Sequence, residues 1–376
     1  MRGRTQEALY SEIDLELSWS ERDLPQVERT KHVHALHPYL GKFVPQLVEV
    51  FLHRYFKPGD RVYDPFVGSG TTLVEANVFG CHSVGCDISA FNCLLTGVKT
   101  AKYSLPNLDL ALKGMLEEAR RNASASPEPA GEWLGRWYAP GALNDLLAYR
   151  AAIAGLDSHA ADVAKVILSR SARSARSTTH FDLDFPGNPV REPYVCHKHK
   201  RTCRPVEEAE KFLRRYTVDT IRRLREFSAF RNDDREITVL HEDARALELA
   251  HEPTGIITSP PYPGLIDYHE QHRYAYELLA LEDRRDCEVG AAARGSSPAA
   301  LAEYVEAMAA IFRQSALQLP KRAPVVIVVN DSRSLYPEIL TRSGLELEER
   351  ITRHVNRRTG RRAGEFFEDV LICRTA

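Results

Sequence analysis

Residues 61–87, RVYDPFVGSGTTLVEANVFGCHSVGCD, constrain the fold more than any other stretch. The run RVYDPF is strand-like, the loop VGSG follows, TTLVEANVF reads as a helix closed by Gly80, and HSVGCD is a second strand. Strand, glycine loop, helix and strand in so short a span is the alternation of a doubly wound parallel α/β sheet. It resumes much later. EITVLHED (236–243), TGIITSPPY (254–262) and APVVIVVND (323–331) each read as a buried strand with a polar residue at its carboxyl end. Upstream, FVPQLVEVFLHRYF (43–56) has helical apolar spacing, and KPGD turns it into the first strand. The tail, LEERITRHVNRRTGRRAGEFFEDVLICR, reads as a final antiparallel pair around a basic turn centred on Gly360.

About 130 residues of different character separate the two blocks. They hold DLALKGMLEEARRN, a Ser/Pro/Ala linker ASASPEPAGE, further helical stretches, the basic segment SRSARSARSTTHFDLDFPGNPVREPYVCHKHKRTC, and a helix from Pro205 to Phe230. That helix carries an apolar stripe of Phe212, Leu213, Tyr216, Ile221, Leu224 and Phe227 opposite arginines. The expected organisation is a discontinuous sheet domain, 1–104 and 236–376, with a mostly helical, basic insertion at 105–235. The formal net charge is only −2, so a nucleic-acid partner would have to meet a local patch. Such a patch exists between Lys165 and Arg231, with 16 Lys and Arg against 8 Asp and Glu.

At 376 residues, 43% hydrophobic and 27% charged, the composition is that of a soluble globular protein with ample material for a core. No apolar run approaches the roughly 18 residues of a membrane span, and the start has charges where a signal peptide needs an apolar stretch. A cytoplasmic protein without a membrane partner is expected. Seven cysteines, an odd number scattered along a long chain, point to reduced thiols.

The loop DPFVGSGTT, Asp64 to Thr72, offers backbone access at Gly68 and Gly70 and free N–H groups at a helix start near Thr71. Asp64 and Asp87 end successive strands, where a carboxylate can accept hydrogen bonds from ribose hydroxyls. No Lys follows the glycines and the dinucleotide spacing is absent. A nucleoside without pyrophosphate is implied, and S-adenosylmethionine is the commonest.

TSPPY after an apolar strand, together with DPFVGSGTT upstream, resembles the amino-group DNA methyltransferases that make N4-methylcytosine or N6-methyladenine. HPYLGKFVPQL, His37 to Leu47, is similar to that family's further cofactor element, a His-Pro followed by Lys and Pro before a helix, although residues stand between Lys42 and Pro45. The resemblance covers about 37–100 and 236–330 and implies a mostly parallel, seven-stranded methyltransferase sheet. It also implies S-adenosylmethionine contacts at Lys42, Phe43, Asp64, Phe66, Gly68, Gly70, Thr71, Asp87 and Asp243, the last equally placed to cap a following helix.

The chemistry asks for these residues. An exocyclic amino nitrogen is a poor nucleophile because its lone pair is delocalised into the ring. Acceptors on its two protons favour the pyramidal form and aim the lone pair at a sulfonium methyl. Ser259 and the Pro260 carbonyl would be those acceptors, Pro260 and Pro261 would hold the carbonyl rigid, and Tyr262 would stack on a base taken out of the duplex. Carbon methylation of cytosine would need a nucleophilic Cys, usually after a proline, and none of the seven follows one. Ser before Pro-Pro-Tyr favours cytosine-N4; adenine-N6 methylation, an RNA substrate, and a nucleic-acid-binding module with a decayed cofactor site are the alternatives.

The other motifs yield softer expectations. Phosphate contacts to double-stranded DNA would come from Arg214, Arg222, Arg357, Arg358, Arg361 and Arg362. YHEQHRYAYE, 268–277, would contact base or phosphate. Cys196, His197, His199 and Cys203 are cramped and lack the paired C-x-x-C form, so a loop of reduced thiols without metal is expected. No endonuclease motif is evident, and a cognate restriction endonuclease would be a separate chain.

Overall fold

The computed structural model describes residues 17–19, 22–42, 44–123, 131–180, 182–183, 186–196, 198–355 and 366–376. Nine strands are described: β1 Arg61–Asp64, β2 His82–Cys86, β3 Tyr194–Cys196, β4 Arg201–Cys203, β5 Ile237–Leu240, β6 Gly255–Thr258, β7 Pro324–Val329, β8 Leu345–His354 and β9 Phe367–Thr375. Seven of them form one sheet in the order β5-β2-β1-β6-β7-β9-β8, and β3 and β4 pair as a separate hairpin. β5, β2, β1, β6 and β7 run parallel, whereas β9 is antiparallel to β7 and to β8. The expected mostly parallel seven-stranded sheet is therefore present. The basic turn around Gly360 lies outside the described residues.

Among the described helices of eight or more residues are α1 Pro45–Tyr55, α2 Thr71–Phe79, α3 Ala90–Thr100, α4 Leu105–Asn122, α5 Pro140–Ala152, α6 Ser158–Ala175, α7 Glu210–Ser228, α8 Pro298–Ala316 and α9 Tyr336–Ser343. Strand alternation decides which face each side chain serves. Val326 and Val328 of β7 pack with Leu47, Val48 and Phe51 of α1, while Val325, Ile327 and Val329 pack with Met308 and Phe312 of α8 and Ile339 of α9. With both faces covered, the central strands read as unbroken apolar runs, which is how they announced themselves in the sequence.

The helices of residues 105–228 do not build a core apart from the sheet domain. Phe91, Leu95 and Val98 of α3 share one apolar cluster with Leu112 of α4, Leu146 of α5, Ile167 of α6 and Leu224 of α7. α7 begins at Glu210, five residues later than the pattern of its stripe suggested. Its end is capped by another helix, since Asp145 of α5 accepts from the Ala209 N–H at 2.7 Å and the Glu210 N–H at 3.1 Å. Thr217 and Thr220 complete the buried face, leaving Phe212 and Tyr216 at its margin.

The sheet order reverses between β1 and β6, so the loops after those strands open away from each other and leave a crevice at their carboxyl ends. A buried hydrogen bond spans it at the base, from the Thr258 hydroxyl to Asp64 Oδ1 at 2.6 Å. The same oxygen accepts from the Phe66 N–H at 3.1 Å, and the Thr72 hydroxyl donates to the Ile257 carbonyl at 3.2 Å. Burial raises the Asp64 carboxyl from 3.8 to about 6. A raised folded-state value means that the proton is held more tightly by the folded chain. The contribution is present below the unfolded value and is lost as pH rises through about 6. Asp64→Asn keeps the acceptor and removes the titration. Thermal melts should therefore show the variant gaining on the native protein between about pH 3 and about pH 7, by up to roughly 3 kcal/mol; a constant difference would contradict this.

Candidate active site

The crevice holds a cavity with about 840 Å³ of atom-free space, part of it open to solvent. Its walls include Lys42, Phe66, Gly68, Thr71, Asp87, Asp243, Ser259 and Pro261, so residues more than 200 positions apart in sequence converge here. Asp64, Gly70, Pro260 and Tyr262 are not on its walls, and Phe43 lies outside the described residues.

The glycine loop takes its shape from conformations that favour glycine. Gly68 has φ +48° and Gly70 φ +79°. A Cβ on Gly70 would stand 2.7 Å from Thr96 Cγ2, and one on Gly68 would stand 3.1 Å from the Tyr39 hydroxyl. From below, α3 fastens two carbonyls of the loop: the Thr96 hydroxyl donates to Gly68 at 3.0 Å, and the fully buried Lys99 ammonium donates to Ser69. Gly70 therefore serves the turn itself and not the wall.

Asp87 is held by three donors, the Gly68 N–H at 2.9 Å, the Ser89 N–H at 2.8 Å and Asn92 Nδ2 at 3.0 Å. Burial raises its pKa, and these bonds oppose the rise. Asp64 differs: its carboxylate is spent on Thr258 and Phe66, so the pairing of two strand-end acids toward one ligand does not hold for it. Asp243 lies on the wall and chelates the Arg245 guanidinium, with Nε 2.9 Å from Oδ1. It also accepts from the Arg245 N–H at 2.9 Å in a turn, and no helix starts there for it to cap.

Lys42 reaches the cavity with its ammonium donating to the His34 carbonyl at 2.6 Å, and burial, then the nearby Arg223, lowers it to about 8. His37, from the same motif, is fully buried instead, with Nε2 3.2 Å from the Ser169 hydroxyl. The segment expected to contact base or phosphate, 268–277, gives Tyr268 and His269 to the wall of this cavity. Tyr268 stacks on Tyr39 at 5.7 Å between centroids, and both line the space. His269 is buried with Nδ1 2.7 Å from Glu288, and the Tyr276 hydroxyl meets that of Ser89 at 2.9 Å. Glu288 also accepts from the Tyr268 N–H at 2.7 Å. Nothing in DRRDCEVG marks this glutamate, and Tyr39, Asn92 and Lys99 were equally silent. Ser69 Oγ, Asn92 Oδ1 and His269 Nε2, all buried on wall residues, have no hydrogen-bond partner among the described residues, which suits a polar ligand.

The Ser-Pro-Pro-Tyr turn stands between this cavity and another. Ser259 and Pro261 face the first, while Tyr262 faces a second space of about 940 Å³ together with Tyr304, Asn330, Asp331, Tyr336 and Phe366. The Tyr304 hydroxyl donates to the Pro261 carbonyl at 2.9 Å, and the Tyr262 hydroxyl donates to Glu368 Oε1 at 3.1 Å. The far end of the turn is thereby fixed to the sheet domain.

The arginines lie elsewhere. Arg222 is engaged by Asp219 at 2.6 Å and by Glu226 on its own helix, whereas Arg214 is largely exposed and 4.0 Å from Glu210. Arg357, Arg358, Arg361 and Arg362 fall outside the described residues. No described helix is long and apolar enough to cross a membrane.

Residues 6–97 match the family model described as DNA methylase. The type II methyltransferase M.MjaII of Methanocaldococcus jannaschii is 36% identical across 98% of this chain and 85% of its own length. The type II methyltransferase M.BsoBI of Geobacillus stearothermophilus is 32% identical over 24% of this chain and 19% of its own. Among solved structures, an rRNA methyltransferase of Streptomyces viridochromogenes aligns with 90% of this chain and 88% of its own, at 13% identity and a TM-score of 0.35. A relative matched over nearly the whole chain, together with the glycine loop and Ser-Pro-Pro-Tyr turn joined across one crevice, makes this chain a member of the amino-group (N6/N4) DNA methylases, a family of S-adenosylmethionine-dependent methyltransferases.

Proposed function

We propose that the protein methylates the exocyclic N4 amino group of cytosine in double-stranded DNA. The observation that carries this reading is the turn with a different space on each side: Ser259 and Pro261 toward one cavity, Tyr262 toward the other. An amino group held at Ser259 would have the cofactor on one side and its own ring on the other. Bound S-adenosylmethionine supplies an electrophilic sulfonium methyl.

The chain's residues do the rest. Asp87 would hold the ribose hydroxyls and Asp243 the adenine, Gly68 and Thr71 would let the backbone approach, and Lys42 and Phe66 would hold the remainder. Ser259 Oγ and the Pro260 carbonyl accept the two amino protons and aim the nitrogen lone pair. Tyr262, anchored through Glu368, stacks on the base. Asp64 and Gly70 act as positioning residues, through Thr258 and through the turn of the loop. The inserted region, 105–235, is assigned to target recognition, with exposed Arg214 a better phosphate partner than the internally paired Arg222. Ser before Pro-Pro-Tyr is what favours cytosine over adenine.

Expression in a host lacking DNA methylation, followed by mass spectrometry of the digested nucleosides, should reveal N4-methylcytosine. N6-methyladenine alone would overturn the base assignment, and unmodified DNA would overturn the substrate. Ser259→Ala should lower kcat by about 10²–10³-fold without weakening cofactor binding, because its hydroxyl serves the amino group. Asp87→Ala should instead weaken S-adenosylmethionine binding by roughly tenfold or more in titration calorimetry. Reversal of those two effects would sink the division of labour.

A further inference from the structure

The β3–β4 hairpin carries a feature that methyl transfer does not use. From 179 to 208, Cys196 and Cys203 are the only buried residues among those described. Every other described residue of the excursion is at least partly exposed, so two thiols are nearly all that it buries. A three-residue hairpin of this kind is marginal without a core or a staple. The register pairs Tyr194 with Cys203 and Cys196 with Arg201, which puts both thiols on one face.

Two imidazoles complete that face. His199, in the turn, has Nδ1 3.5 Å from Cys203 Sγ, and His180, 16 residues before Cys196, has Nδ1 3.6 Å from Cys196 Sγ. The two rings meet edge-on with centroids 4.5 Å apart, and one ligand atom from each of the four residues lies within 4.8 Å of the others. A tetrahedron with zinc–sulfur and zinc–nitrogen bonds of about 2.3 and about 2.05 Å has a sulfur–nitrogen edge of about 3.5–3.6 Å. The two observed separations match that edge. The Tyr194 hydroxyl accepts from the His180 backbone N–H at 3.2 Å and lies 2.8 Å from Nδ1, so it sets the ring; on metal binding the Nδ1 lone pair would pass from Tyr194 to the ion while the backbone contact stays.

We propose that His180, Cys196, His199 and Cys203 form a structural Zn²⁺ site of the Cys₂His₂ type that fastens the hairpin. Four protein ligands leave no open position, so the ion is structural and not catalytic. Two thiolates would neutralise the charge of the ion. His197, the other histidine of the sequence motif, lies outside the described residues, and His180, from outside the cramped CHKHKRTC segment, supplies the fourth candidate ligand.

The test uses the full chain, purified under reducing conditions without chelator, with metal measured by plasma mass spectrometry. One zinc per chain is expected, falling at least about fivefold in Cys196→Ser and in Cys203→Ser. Replacement by Co²⁺ should give the visible bands of tetrahedral cobalt with sulfur-to-metal charge transfer, and these should weaken in His180→Ala. Should the serine variants misfold, Cys203→His, which keeps four ligands, should restore metal and circular dichroism together. A folded native chain that takes up no zinc when it is added, a content unchanged by Cys196→Ser, or a Cys196–Cys203 disulfide in the purified protein would each overturn the site.

Discussion

The buried hydrogen bond from Thr258 to Asp64 is the joint on which the site depends. One partner ends the strand that feeds the glycine loop, and the other is the residue immediately before Ser259. Without it the two motifs would belong to adjacent strands of a parallel sheet, whose carboxyl ends diverge at this point. With it, and with Thr72 reaching the Ile257 carbonyl, the start of the loop and the start of the turn share one frame. The acid sits where burial disfavours its charge, and its bonds to Thr258 and Phe66 N–H offset part of that cost.

The same economy recurs around the cavity. Polar groups that hold the loop in place are themselves buried and bonded: Lys99 to the Ser69 carbonyl, Thr96 to the Gly68 carbonyl, Asn92 to both Tyr39 and Asp87. A loop fixed through its own carbonyls keeps its N–H groups oriented without help from the ligand, which lowers the ordering cost of binding. Asp87 is the clearest case, because the Gly68 N–H fixes the carboxylate and the loop against each other.

What the sequence disclosed and what it withheld follow from the range of the forces involved. Strands buried on both faces announce themselves as apolar runs, and a glycine loop between two of them points to a doubly wound sheet, so the mostly parallel architecture and the place of Ser259 at a strand end were legible. The role of Asp64 was misjudged because an acid at a strand end looks the same whether it faces a ligand or a neighbouring threonine. Tyr268 and His269 read as base or phosphate contacts because nothing local shows that Glu288 lies behind them. The late start of α7 escaped notice because its cap, Asp145, comes from 64 residues upstream. In each case the deciding partner is distant in the chain, where periodicity and propensity carry no information.

The joint between Asp64 and Thr258 closes a loop of 194 residues, most of it in the segment between α3 and β5. Closure entropy grows only with the logarithm of loop length, so doubling such a loop costs about 0.6 kcal/mol. The helices from α4 to α7 can therefore lengthen, shorten or be exchanged at little thermodynamic expense to the joint, provided they still cover Phe91, Leu95 and Val98. On the ribosome the order is fixed as well: the glycine loop is made long before its partner strand, and the crevice can close only after β6 has emerged.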